Sequence, residues 1–167
     1  MINTVAAKTL GGKFIMSATV EPVQQNWRWC RKCEGAFYAG SSIGRCPAGG
    51  VHDSLGSGYY LMRFASPGQA NWRRCRKCEG IFFNGNSTAG RCPVGGTGAG
   101  HEPDMTINFY IDLNNSFGKI GTQPGWKWCV RCEGMFFAGN TTRGRCTVGG
   151  SHDGSRSGNY NLLLSYS

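Results

Sequence analysis

The chain is short of carboxylates: nine Asp and Glu stand against 18 Lys and Arg, a formal net charge of +9. So few acids leave little for general acid and base work, and nothing in the sequence resembles a nucleophile with its base. Long apolar runs are also missing, so no segment has the length needed to span a membrane. Met1 to Val20 carries Lys8 and Lys13 and lacks the apolar stretch of a signal peptide, so no export signal is expected there. Sustained helical periodicity is absent as well. The 27 glycines and the aromatics spaced between turns predict short strands and tight turns.

Histidine is scarce, and all three copies fall in with the nine cysteines. One spaced pattern occurs three times: Cys30, Cys33, Cys46 and His52; Cys75, Cys78, Cys92 and His101; Cys129, Cys132, Cys146 and His152. Each copy starts with C-x2-C and ends with a third Cys and a His, four ligands of the kind that close a tetrahedral zinc site. Three zinc ions per chain are therefore expected. A disulfide framework fails on parity, because nine cysteines cannot all pair within the chain. The middle copy is irregular: Gly98, Ala99 and Gly100 lengthen its last step, and Glu102 or Asp104 stands as an alternative ligand to His101. Zinc thiolates are compatible with a reducing or an oxidising compartment, so the cysteines do not fix localisation.

Metal also corrects the charge. A Cys3His zinc site carries one net negative charge, so three of them take +9 to about +6. Half of the basic residues lie beside the first knuckles: Arg28, Arg31, Lys32, Arg73, Arg74, Arg76, Lys77, Lys127 and Arg131. Offsetting thiolate charge is their simplest role, with nucleic-acid contact the alternative. Glu34, Glu79 and Glu133 recur in every copy, as do Arg45, Arg91 and Arg145, and a Glu to Arg pair inside each repeat is expected. Asp53 and Asp153 follow the ligand His and are expected to orient it or cap a turn.

The repeats run from Trp27 to His52, Trp72 to His101 and Trp126 to His152. In the knuckles, Gly35, Gly80 and Gly134 are expected to relieve a positive φ. Trp27, Trp72 and Trp126 read as core, whereas the position occupied by Trp29, Arg74 and Trp128 reads as surface or interface. Phe37, Phe82 and Phe136 face opposite to Tyr38, Phe83 and Phe137. Further strands are expected at Phe14 to Val20, Tyr59 to Phe64, Met105 to Ile111 and Tyr160 to Tyr166, the first and last meeting to close the array. The expected fold is all-β, three zinc-stabilised hairpin repeats in a pseudo-threefold, β-trefoil-like arrangement, with three zinc-ribbon-like beads in a row as the alternative. The divisions are 1–23, an N-terminal segment with a closing strand; 24–64, repeat 1; 65–111, repeat 2; and 112–167, repeat 3 with the other closing strand.

The C-x2-C-x-G stretch resembles the knuckles of rubredoxins and zinc ribbons, although the second half, as in C-P-A-G-G-V-H, departs from a zinc ribbon. W-R-W-C-R-K-C-E-G-A-F-Y followed by G-R-C-P-A-G-G-V-H-D and S-G-Y-Y-L is similar to tandem repeat modules of largely uncharacterised bacterial proteins. The similarity covers about residues 24 to 166. It implies an accessory recognition module, often extracellular, and no catalyst.

Three functional readings follow. A non-catalytic, lectin-like module for carbohydrate or a cell-surface polymer would use Trp29, Tyr38, Phe83, Trp128 and Phe137 as stacking surfaces, with Asn86 and Asn140 as polar partners and threefold repetition supplying avidity. The same aromatics read equally well as core. Nucleic-acid binding through the basic, Trp-interleaved knuckles is the second, against which stands the absence of a basic tail or recognition helix. The third is self-assembly through exposed aromatic surface into an oligomer or a larger particle.

Overall fold

The computed structural model describes residues 3–10, 13–20, 22–118 and 121–165, with side chains from residue 22 onward. Every regular element among them is a strand. Strands β1 (Asn3–Leu10) and β2 (Lys13–Val20) form an antiparallel hairpin with its own two-stranded sheet. The remaining strands fall into three lobes: β3 (Val23–Trp29), β4 (Ala36–Tyr38) and β5 (Tyr60–Arg63); β6 (Gln69–Arg74), β7 (Ile81–Phe83) and β8 (Phe109–Leu113); β9 (Thr122–Trp128), β10 (Met135–Phe137) and β11 (Tyr160–Leu164). In each lobe the first strand pairs with the short second strand on one side and with the third on the other. Between second and third strands lies the loop carrying the third Cys and the His.

Closure differs from the expected one. Strands β5, β8 and β11 pair with one another, so the lobes meet around a central axis. β11 already pairs with β9, β5 and β8, which leaves it no edge for β2. The closing strand expected at Phe14 to Val20 therefore belongs to the separate hairpin. Tyr166 lies outside the described residues. β8 starts at Phe109 because Asp104 captures Thr106 in a turn, accepting from both its amide and its hydroxyl, and it runs past the 111/112 division.

The lobes share one core, which excludes beads in a row. Trp27, Trp72 and Trp126 are fully buried at its centre. Each comes after a residue with positive φ, Asn26, Asn71 or Gly125, where a bulge interrupts the ladder and turns the indole inward. Each indole then meets the edge of a ring from another lobe: Trp27 with Phe109, Trp72 with Tyr160 and Trp126 with Tyr60, at centroid separations of 5.3, 5.2 and 5.3 Å. The polar edges are satisfied by one repeated glutamine: Trp27, Trp72 and Trp126 donate Nε1–H to Gln24, Gln69 and Gln123.

Candidate metal centres and interlobe grooves

All twelve expected ligands come together in three buried clusters of three Cys and one His, and none of the cysteines is in a disulfide. The Sγ atoms of Cys30 and Cys46, Cys75 and Cys92, and Cys129 and Cys146 are 3.8, 3.8 and 3.9 Å apart. The sulfurs of Cys33, Cys78 and Cys132 lie 3.6, 3.5 and 3.5 Å from Nδ1 of His52, His101 and His152. A tetrahedron with arms of ~2.3 Å to sulfur and ~2.05 Å to nitrogen has edges of ~3.8 Å between sulfurs and ~3.6 Å from sulfur to nitrogen. Each cluster has the dimensions to hold one metal ion. His101 completes the middle set, whereas Glu102 and Asp104 are engaged by Arg76 and Arg74.

Protons are shared unevenly among the ligands of each cluster. Hydrogen bonds from Cys33 and Cys46 hold the Cys30 thiol far below its ordinary value, and Cys75 and Cys129 are lowered in the same way by their partners. Cys33, hydrogen-bonded to Cys30 and Cys46 and buried, is pushed well above its ordinary value. Burial alone would lower the two outer histidines. Hydrogen bonds to Cys30 and Cys46 push His52 up to about 9, and those to Cys129 and Cys146 do the same for His152. A divalent ion would replace these shared protons. Backbone amides add support: Asp53, Glu102 and Asp153 donate to the first sulfur of each cluster, and Ala48 and Val94 donate to Cys46 and Cys92.

The first knuckles are built on a left-handed residue, although one place earlier than expected. Positive φ falls on Glu34, Glu79 and Glu133, at 63, 65 and 65°. Gly35, Gly80 and Gly134 answer to space instead, since a Cβ there would lie 3.3 to 3.5 Å from the second sulfur. The fully buried Phe37, Phe82 and Phe136 stack on the ligand imidazoles, at 4.5, 4.6 and 4.7 Å. Asp53 and Asp153 cap turns by accepting from the amides of Leu55 and Ser155.

The clusters are wired to one another. His52 donates Nε2–H to the carbonyl of Cys78 in lobe 2, and His152 to that of Cys33 in lobe 1, which leaves Nδ1 free to ligate. His101 breaks the pattern: its Nε2 is buried without a partner, and the corresponding Cys132 carbonyl accepts from the Arg91 amide at 3.3 Å. The extra residues of the middle loop are Gly96 to Gly98, because the Cys92 amide bonds to Ala99 as the Cys46 amide bonds to Gly50. Gly44, Gly90 and Gly144 pack on the same carbonyls, where a Cβ would come within 2.1 Å. Comparison with protein-family models, curated proteins and solved structures finds no match.

The recurrent glutamates serve the joints between lobes, and the expected pairs with Arg45, Arg91 and Arg145 do not form. Among the described residues, the recurrent glutamate that pairs with an arginine of its own repeat is Glu79, with Arg74 at 3.1 Å. Glu34 is buried and accepts from Trp29 at 2.6 Å in its own lobe and from Asn140 and Thr142 in lobe 3. Glu133 takes Trp128 and Asn86, and Glu79 takes Arg74, Ser41 and Ser42. Burial raises the Glu133 carboxyl, with its donors opposing. Arg45, Arg91 and Arg145 are exposed elsewhere.

The proposed stacking residues are divided between core and surface. Trp29, Tyr38, Phe83, Trp128 and Phe137 are half-buried against the core, while Asn86 and Asn140 are exposed. Two equivalent grooves open between lobes. One of about 290 Å³ is lined by Phe83, Asn86, Trp128, Arg156 and Tyr160; the other, about 230 Å³, by Tyr38, Ser41, Arg74, Asp104 and Phe109. Sequence reasoning missed Arg156, Gln69 and the role of Glu34, since a linear repeat does not show which lobe supplies the facing wall. Among the described residues no helix is long and apolar enough to cross a membrane.

Proposed function

We propose that this is a non-catalytic, zinc-stabilised binding module for carbohydrate or a cell-surface polymer. The observation that carries the reading is the groove between lobes 2 and 3, whose lining brings the half-buried Phe83 and Trp128 together with Asn86, Arg156 and Gln69. Apolar rings flanked by amide and guanidinium groups suit a sugar, whose faces carry C–H groups and whose rim carries hydroxyls. Repetition of the groove around the axis supports avidity on a polymer. Zinc is the metal that suits a closed Cys3His set, and four protein ligands leave no open position for a reactive water.

Nucleic-acid binding has less support, because the basic knuckle residues are occupied. Arg31, Arg74 and Arg76 pair with Asp53, Asp104 and Glu102, while Lys32, Lys77 and Arg131 bond to carbonyls of the second knuckles. The test is retention on immobilised polysaccharides and a glycan array, comparing the unmodified protein with Arg156→Ala and Trp128→Leu at equal metal content. Selective retention weakened in both variants is expected. No retention of the unmodified protein, or equal retention of all three, refutes the reading.

A further inference from the structure

At one end of the central axis the three second knuckles surround an open bowl of about 540 Å³, lined among others by Arg45, Pro47, Arg91, Pro93 and Thr147. We infer that this bowl binds a small multivalent oxyanion, a molecule carrying several sulfate or phosphate groups. Arg45 and Arg91 occupy the same place in the G-R-C motif of their lobes; Arg145 is the third equivalent in sequence and stands outside the lining. All three are exposed, and among the described residues their side chains make no hydrogen bond or ion pair. The contrast with Arg31, Arg74 and Arg76, each held by a carboxylate, is direct.

No described carboxylate lines the bowl. The acids are spent elsewhere: Glu34, Glu79 and Glu133 in the lobe joints, Asp53, Glu102 and Asp104 on arginines, Asp153 on Ser155 and Asp112 on Ser116. Guanidinium groups are planar forks that match tetrahedral oxyanions. Arg45 and Arg91, brought to the same bowl by equivalent positions in two lobes, repel one another until a ligand with several negative groups fills the space. Gly49, Gly96 and Gly98 on the wall present backbone with no side chain in the way of close approach. Beneath Pro47, Pro93 and Thr147 only about 40 Å³ of space remains, so the bowl has a floor and suits a compact ligand better than a threaded strand. It also has no aromatic wall, which separates it from the lateral grooves.

The test is calorimetric titration of the metal-loaded protein with sucrose octasulfate, inorganic phosphate, sucrose and single-stranded DNA. The bowl variant is R45Q/R91Q/R145Q, and a charge-matched control is R28Q/R31Q/R76Q, whose arginines line neither the bowl nor the lateral grooves. Binding of octasulfate is expected, with phosphate weaker and sucrose inert. Loss of Arg45 or of Arg91 should each weaken binding about tenfold or more, from the worth of a charge-assisted hydrogen bond, and the triple bowl variant should bind undetectably. The control should bind nearly as well as the unmodified protein, with metal content equal in all three. The inference is overturned if the unmodified protein does not bind octasulfate, if it binds phosphate as tightly as octasulfate, if the control loses as much as the bowl variant, or if only DNA binds. Failure here leaves the lateral grooves untouched, since they are read with neutral glycans.

Discussion

The middle metal centre should be the weakest of the three, and two causes compete to explain it. Cys92 and His101 are nine positions apart, against six for Cys46 and His52. Closing the longer loop costs about (3/2)RT ln(9/6), ~0.4 kcal/mol, or about twofold in affinity. The second cause is the unpartnered Nε2 of His101, where His52 and His152 each donate to a carbonyl. Losing such a support weakens metal binding by about 10- to 100-fold, so the hydrogen bond outweighs the loop. Native mass spectrometry during titration with a chelator should show one ion leaving first, and His101→Ala should lack that ion from the start. Deleting Gly96, Thr97 and Gly98 should strengthen the site by only about twofold while His101 stays unpartnered. Release of all three ions in one phase would refute the reasoning, and a tenfold gain on deletion would return the weakness to loop length.

Glu34→Ala strands the Trp29 and Asn140 donors and should cost about 3 kcal/mol in chemical denaturation with metal present, against about 1 kcal/mol for Glu79→Ala, because Arg74 keeps Asp104. Equal losses would mean that the joints do not depend on those donors. Gly44→Ala should cost more than about 3 kcal/mol, since its Cβ meets a backbone oxygen, while Gly49→Ala, with positive φ and open space, should cost only about 1 kcal/mol. Tyr60 should titrate late: burial, with its hydrogen bond to Gln123 opposing, pushes it up to about 12, and burial raises Tyr160 as well. The neutral form is favoured in the folded state, so this stabilisation is complete below the ordinary value near 10 and is lost as pH rises through about 12. Tyrosinate absorbance rising in a single step for all six tyrosines would contradict it.

The metal ligands were legible because chelation leaves a strict chemical signature: Cys and His at fixed separations with none to spare. Trp27, Trp72 and Trp126 were legible as core for a related reason, being kept in every copy while Trp29 and Trp128 give way to Arg74. What the sequence could not show is where one lobe ends and the next begins to contribute. Glu34 looks like a local partner for Arg45, yet its donors Asn140 and Thr142 come from the far end of the chain. The positive φ expected at Gly35 settled on Glu34 because the glycine was required for a different reason, proximity to sulfur. Strand closure was misread on similar grounds, since β5, β8 and β11 satisfy one another around the axis and need no strand from the N-terminal hairpin.

The interlobe backbone bonds carry a consequence for how many repeats the fold admits. Tyr38 of lobe 1 donates to Glu79 of lobe 2, Phe83 of lobe 2 to Glu133 of lobe 3, and Phe137 of lobe 3 back to Glu34 of lobe 1. Every lobe thus presents a donor edge and an acceptor edge, and the rotation between neighbours closes after three steps. Such head-to-tail joints form a ring when the rotation closes. Two lobes would leave both edges bare, and a fourth would find no open joint. The connecting segments between lobes supply neither edge, so a single lobe cut free carries both halves of the joint, and three separate copies of it have the geometry to assemble as a cyclic trimer in place of one continuous chain.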